Sequence, residues 1–295
     1  MANILDGTAL SKEIRSEVAE STLNLKTLHN LTPGLAAVLV GDDPASAVYV
    51  RNKGKACDEV GIFSEVFRLP KDTTQESVLD LVEDLNRDDR FHGILVQLPL
   101  PEQIDETTII EHIAPSKDVD GIHPFNLGKL TQGIPEFIPG TPAGVQQLLV
   151  RNGYDPAGKH VVICGRSNIV GKPLATLLTQ RSYGSNATVT VCHTRTNNLT
   201  DFTKRADIVV AAIGQPKAIT ADMLKPGCIV IDVGINRVED ASRKSGYRLI
   251  GDVDYENILP ICEAITPVPG GVGPMTIAML VENTVEAAER TLQSI

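Results

Sequence analysis

Tyr49 and Lys53 stand four residues apart in GDDPASAVYVRNKGKACDEVGI (41–62), and Ser46 stands three before Tyr49. On a helix that spacing puts all three on one face. A phenol beside an amine can orient a ring and move protons, and apolar walls around a lysine disfavour its charged form, which suits acid–base work. The same spacing also occurs on solvated helices. Gln97 closes the apolar run GILVQL (93–98), where a neutral amide can polarise or tether a neighbour without adding charge. Asp120, beside the Gly121 turn of SKDVDGIHP (116–124), offers two acceptor oxygens that suit the edge of a guanidine-like heterocycle. Taken singly, Gln97 and Asp120 also read as strand-end and turn residues.

A second constellation follows HVVIC (160–164). The segment GRSNIVGKP (165–173) joins an apolar strand to a helical pattern, and a glycine turn at a helix N-terminus forms an anion cradle. Its glycines are spaced G-x5-G, so the pattern departs from the usual dinucleotide fingerprint and also fits an ordinary strand–helix turn. The next apolar run, ATVTVC (187–192), ends in His193, Thr194, Arg195 and Thr196. A carboxylate at that place would hold a ribose 2′-hydroxyl and repel a 2′-phosphate; arginine and hydroxyl groups would bind the phosphate. With Arg166 and Ser167 in the first turn, the residues point to NADP rather than NAD.

The elements that must position these residues alternate. LAAVLVG (35–41), GILVQL, HVVICG, ATVTVC, DIVVAAIG (207–214) and CIVIDVG (228–234) read as buried, mostly parallel strands. Helical periods near 8–30, 44–60, 75–87, 142–152, 171–181 and 275–293 separate many of them, which predicts an α/β architecture. The Pro- and Gly-rich stretch 134–144 is the expected domain boundary, and QLPLPEQ (97–103) and TPVPGGVGPMT (266–276) are the aperiodic loops where chemistry is expected.

The 295 residues suffice for two domains, and 42% apolar content rules out disorder. The net charge is −10, against a basic face for duplex nucleic acid. Residues 1–140 carry 12 Lys and Arg against 23 Asp and Glu, whereas 141–295 carry 15 against 14, so the halves are expected to have different roles. Five scattered cysteines without a CxxC pair, an N-terminal segment without an apolar core, and no run of spanning length predict a reduced cytoplasmic protein with no membrane partner. The six histidines lack zinc-ligand spacing, so no metal site is expected.

Together these segments resemble the bifunctional methylenetetrahydrofolate dehydrogenase/methenyltetrahydrofolate cyclohydrolase family of one-carbon metabolism. The likeness runs through ILDGTALSKEIR, VGDDPAS-x2-Y-x3-K, GILVQLPLP, KDVDGIHP-x-N-x-GKL, GRSNIVGKP, VTVCHTRT, GQP, IDVGINR, GDVD and PVPGGVGPMT. It implies two α/β domains with a cleft between them: residues 1–140 plus 275–295 for folate and catalysis, and a Rossmann-like NADP domain over 141–274. The last helix would return to the first domain.

The resemblance also assigns roles. Lys53 would be the catalytic lysine, Tyr49 would position the folate ring system, Gln97 would tune the lysine and Asp120 would anchor the pterin edge. Val96 and Leu98 would flank the folate, as would Pro267, Gly270, Gly271, Val272 and Gly273 of the second loop. Gly165, Arg166, Ser167, Thr194, Arg195 and Ile235 would contact NADP. The implied reactions are hydride removal from methylenetetrahydrofolate and hydrolysis of the methenyl product to formyltetrahydrofolate, in a homodimer.

One departure is visible: Gly140 in PGTP replaces the family's common Cys, for which altered loop packing is expected. The rival readings are a dehydrogenase-only member of the family, an NADP-linked dehydrogenase for another small substrate, and a nucleotide-sensing module without chemistry. The last would predict erosion of Lys53 or Asp120, and both are present.

Overall fold

The computed structural model describes residues 2–243 and 246–293. Met1, Ser294 and Ile295, the outer ends of the expected folate domain, lie outside the described residues. In chain order the elements are β1 (Asn3–Ile4), α1 (Gly7–His29), β2 (Gly34–Val40), α2 (Pro44–Val60), β3 (Phe63–Leu69), α3 (Gln75–Arg87) and β4 (Gly93–Val96). Then come α4 (Glu106–His112), α5 (Pro124–Gln132), α6 (Gly140–Arg151), β5 (His160–Cys164), α7 (Gly171–Leu178), β6 (Thr188–Cys192) and α8 (Leu199–Thr203). The chain continues through β7 (Ile208–Ala211), β8 (Ile229–Asp232), β9 (Asn236–Glu239), β10 (Tyr247–Ile250), α9 (Tyr255–Ile258), β11 (Ala264–Ile265) and α10 (Val272–Gln293).

These elements fold into two compact units, Lys12–Gly140 with Ile277–Ile295, and Met1–Ser11 with Thr141–Thr276. The first is built on a parallel sheet in the order β3-β2-β4. Its central strand β2 is buried along its whole length, as continuous apolar sequence requires when helices cover both faces. Ala36, Val38, Ile94, Val82, Phe91 and Ile109 form its core. The second unit carries a six-stranded parallel sheet in the order β1-β11-β8-β7-β5-β6, with β9 and β10 as a separate hairpin. Val162, Val209, Val230 and Ile265 pack in its core.

The strand order sets the place of a ligand. From β5 the chain crosses to β6 on one side and then returns to β7 on the other, so the sheet reverses winding between β5 and β7. The carboxyl ends flanking such a reversal are where open α/β sheets bind ligands.

Residues 1–140 were expected in one domain, yet Met1–Ser11 group with the six-stranded unit. The cause is β1, which runs parallel to β11, with the Asn3 amide donating to the Glu263 carbonyl and the Leu5 amide to Ile265. Two residues are too short to leave a periodic signal. The Asp6 side chain then caps α1 by accepting from the amides of Thr8 and Ala9. No described helix is long and apolar enough to cross a membrane.

Candidate active site

In the three-stranded unit the chemistry-bearing helix is α2. Asp43 caps it, accepting from the Ser46 amide at 2.7 Å, and Pro44 opens it with a backbone that has no N–H to satisfy. Gly61 ends it in the left-handed conformation. Ser46 faces inward and is buried, Tyr49 is 40% exposed, and Lys53 is half-buried.

Lys53 Nζ donates to Gln97 Oε1 at 3.2 Å. Gln97 is fixed in turn, because its Nε2 donates to the Leu98 carbonyl at 2.7 Å and its own amide donates to the Val38 carbonyl. With Nε2 turned to the Leu98 carbonyl, the side chain presents its oxygen to the lysine. Val96 before it is buried in β4, and the Leu98–Pro99 peptide after it is cis.

Asp120 completes the group. Burial pushes its carboxyl above the ordinary range, and the nearby charge of Lys53 opposes that rise. Its loop is held from both sides. Asp118 accepts from the amides of Ile122 and His123 and from Asn126 Nδ2 at 2.8 Å. Asn283 of α10 donates from Nδ2 to the carbonyls of Val119 and Ile138, at 2.8 and 3.1 Å. Gly121 has a φ of +68°, and a Cβ there would lie 2.8 Å from the Pro139 nitrogen. Asp118 is itself buried, which pushes its carboxyl up to about 7 against the lowering effect of its hydrogen bonds. Neither Asp118 nor Asn283 was singled out from the sequence. The first lay two residues from Asp120 in the same motif, and the second sat between Glu282 and Thr284, with nothing in the sequence to set it apart from other polar residues of the last helix.

In the six-stranded unit, Gly165 follows β5 with a φ of +139°, and a Cβ on it would lie 2.1 Å from the Ala212 carbonyl oxygen beyond β7. Gly171 opens α7 against the Gly165 carbonyl, where a Cβ would lie 2.2 Å away. The G-x5-G spacing is therefore set by two close backbone approaches. Arg166 and Ser167 are exposed on this turn, with Ser167 Oγ accepting from the Val170 amide at 3.1 Å. At the end of β6, His193 caps the turn: its Nδ1 accepts from the Arg195 amide at 3.1 Å, and its own amide donates to Thr196 Oγ1. Thr194 and Arg195 are left exposed. A glycine cradle at the winding reversal, with exposed arginines on its turn and after β6 and no carboxylate among residues 193–196, fits a phosphorylated dinucleotide.

The PVPGG loop lies in this same unit. Its Val268–Pro269 peptide is cis, Gly270 has a φ of +107° and accepts from the Thr8 amide at 3.0 Å, and a Cβ on Gly7 would lie 1.8 Å from the Gly271 carbonyl oxygen. That approach accounts for Asp-Gly-Thr at the start of α1. Ile235, 44% exposed, rests over Gly273 at the start of α10, and Val272 beside it is buried. Lys53, Gln97 and Asp120 are thus gathered in one unit, and Gly165, Arg166, Arg195 and Ile235 belong to the other with Pro267–Gly273. Among the described residues no group of three or more His, Cys, Asp and Glu side chains could hold a metal ion.

Two family models match the chain. The tetrahydrofolate dehydrogenase/cyclohydrolase catalytic domain covers residues 5–120, and the NAD(P)-binding domain of the same name covers 139–292. The chain is 56% identical to the bifunctional protein FolD of Chlorobium chlorochromatii over 289 residues, 97% of this chain and 98% of that one. The crystal structure of bifunctional FolD, a methylenetetrahydrofolate dehydrogenase/cyclohydrolase from Campylobacter jejuni, matches with a TM-score of 0.93 and 49% identity over 99% of this chain and 100% of that one. FolD of Trypanosoma brucei, complexed with NADP cofactor and an inhibitor, matches with a TM-score of 0.94 and 39% identity over 99% of each chain. Two family models side by side, full-length relatives and a lysine–glutamine pair on the catalytic half lead to one assignment: the chain belongs to the tetrahydrofolate dehydrogenase/cyclohydrolase family.

Proposed function

We propose that the protein oxidises 5,10-methylenetetrahydrofolate to the methenyl form with NADP and hydrolyses that product to 10-formyltetrahydrofolate. The observation that carries the reading is the 3.2 Å bond from Lys53 Nζ to Gln97 Oε1, in the unit that also holds Tyr49 and Asp120. Membership of the family supplies the substrate class.

The pterin is held by Asp120, whose carboxyl oxygens accept from the N–H edge of the heterocycle, and the exposed Tyr49 ring lies against the folate rings. Val96 and Leu98 set the apolar wall beside Gln97. NADP, when bound, accepts the hydride that leaves the methylene carbon. Gly165, Arg166, Ser167, Thr194, Arg195 and Ile235 hold it, the two arginines taking the 2′-phosphate.

In the hydrolytic step water adds to the cationic methenyl carbon and its oxygen gives up both protons as the formyl C=O forms; one protonates the nitrogen whose bond to that carbon breaks, and the other is released. Lys53 Nζ is the group that handles these protons. Gln97 Oε1 takes one N–H of the lysine and fixes where the remaining protons or lone pair point. Because Gln97 is neutral, it orients Lys53 without adding a charge that would hold the lysine in its protonated form.

Lys53→Met keeps an unbranched apolar stem as far as Cε and removes the amine. The folded variant is expected to lose cyclohydrolase activity, and a retained rate would sink the assignment. A second assay follows absorbance of the methenyl species during turnover with NADP and with NAD. Its absence with both overturns the oxidative half.

The finer setting follows the family resemblance. A reduced cytoplasmic location is supported by the cysteines, Cys57, Cys164, Cys192, Cys228 and Cys262, all free and buried. A homodimer is supported by β6, a sheet-edge strand with Val191 exposed; light scattering of the purified chain tests it.

A further inference from the structure

Two buried carboxylates outside the residues assigned so far lie at the carboxyl edge of the six-stranded sheet. Asp232 ends β8 in IDVGINR, and Asp252 follows β10 in GDVD. Asp252 Oδ2 accepts from the amides of Ile213 and Gly214 at 2.6 and 2.8 Å. Its Oδ1 accepts from Asn236 Nδ2 at 2.8 Å. Asp232 Oδ1 accepts from the amides of Gly234 and Asp252, both at 2.9 Å, and its Oδ2 from Val253 at 3.0 Å. The packing is reciprocal. A Cβ on Gly234 would lie 2.2 Å from Asp252 Oδ1, and one on Gly251 would lie 1.7 Å from Asp232 Oδ2. Each glycine leaves the space that the other segment's carboxylate fills.

The bonds of Asp252 end on residues beside the nucleotide turn. Ile213 and Gly214 follow Ala212, whose carbonyl is the group packed on Gly165. Asn236 adjoins the exposed Ile235. One carboxylate therefore spans the loop after β7 and the segment after β8, both at the edge where the sheet reverses its winding. Loop amides held by an ionised acceptor are held more strongly than by a neutral one.

We propose that Asp252 is a positioning residue for the dinucleotide, fixing the 212–216 loop against Gly165 and the Ile235–Asn236 segment as one preformed platform. Asp232 acts through it, by holding the Asp252 amide. Neither carboxylate touches the ligand; their oxygens are committed to protein N–H groups. The proposal rests on the reading that this unit takes NADP.

The test uses the full chain. Asn236→Ala removes one bond of Asp252 at a half-exposed position and leaves the core filled. NADP binding, titrated by calorimetry, is expected to weaken about tenfold, the size of one lost hydrogen bond to a charged acceptor. Hydrogen exchange in a peptide covering 212–216 is expected to quicken, while hydrolysis of methenyltetrahydrofolate without cofactor continues at its usual rate. Asp252→Ala is expected to weaken NADP further, and Asp252→Asn to recover part of the loss, because one oxygen remains for the Ile213 and Gly214 amides. If Asp252→Ala does not fold, Asn236→Ala decides. A folded Asn236→Ala that binds NADP within about twofold of the unaltered chain overturns the proposal, as does a parallel fall in hydrolysis and binding. Failure of the unaltered chain to bind NADP overturns the cofactor reading instead, so the two failures are distinguishable.

Discussion

Arg195 is exposed at the end of β6 and forms no ion pair among the described residues, and its backbone is pinned by the His193 ring. A guanidinium so placed contributes mainly to a ligand that brings its own anion. Arg195→Ala is accordingly expected to raise the KM for NADP about tenfold, the order of one charge-assisted bond, and to leave the KM for NAD within about twofold. Steady-state kinetics with both cofactors checks this, and an equal rise for both would place Arg195 away from the 2′-phosphate. The sequence exposed this residue because a missing carboxylate is visible in one dimension. That Lys53 and Tyr49 share one helix was legible for a similar reason, since their spacing is a property of that helix, but their proposed roles came from the family resemblance. The bond from Lys53 to Gln97 joins residues 44 apart and was not legible from spacing, and the same is true of Asn283 reaching Val119 across 164. Asp118 illustrates a further limit. It and Asp120 are the same residue type two positions apart, and only the hydrogen bonds show that one organises the loop while the other is presented by it.

At the scale of elements, α2, α3 and the apolar strands β2, β4, β5, β7 and β8 follow from periodicity and capping. What escaped were the short helices α4, α5, α8 and α9 and the strands whose partners define them. β3 is an edge strand buried only in part along its length, β9 and β10 are half-exposed and pair with each other, and β1 and β11 have two residues each. The turn from β5 into α7 is the element with most consequence for binding. Its two glycines were read as a loose fingerprint, and their spacing follows instead from contacts with Ala212 and with each other. Gly171→Ala puts a methyl group where the Gly165 carbonyl lies, so either α7 or the turn must move. Overpacking of this kind costs on the order of 1–3 kcal/mol. A lowered melting temperature together with NADP binding weakened at least about tenfold is the expected outcome. A variant that melts and binds as the unaltered chain does would show that the close approach is dispensable.

For the whole molecule, the net charge of −10 opposes both expected ligands, which are anions, so binding depends on local cations rather than on the overall field. The acidic excess has a second consequence, because some of it is buried. Burial raises Asp118 to about 7 and Asp232 to about 6, whereas an unfolded aspartate titrates near 3.9. Between those values the folded chain holds protons that the unfolded chain has released. The unfolded state therefore binds fewer protons in that window, and stability falls as pH rises from about 4 to about 7, then levels. Each pKa unit is worth about 1.4 kcal/mol, so Asp118 is the larger contributor. Part-exposed aspartates held low by partners, such as Asp88 beside Arg90 and Asp207 beside Lys225, add stability that is lost only in stronger acid, below this window. The buried His92, held below its ordinary value chiefly by desolvation, has the opposite slope on the acid side of neutrality. A comparison of variants removes both effects. Asp118→Asn cannot ionise, so the difference in unfolding free energy between it and the unaltered chain should change steadily from pH 5 to pH 7, with the unaltered chain losing ground. Denaturant melts at half-unit intervals measure that difference. A difference independent of pH would mean that Asp118 ionises in the folded chain as readily as in the unfolded one, and the loop that presents Asp120 would then be held by a carboxylate at every pH tested.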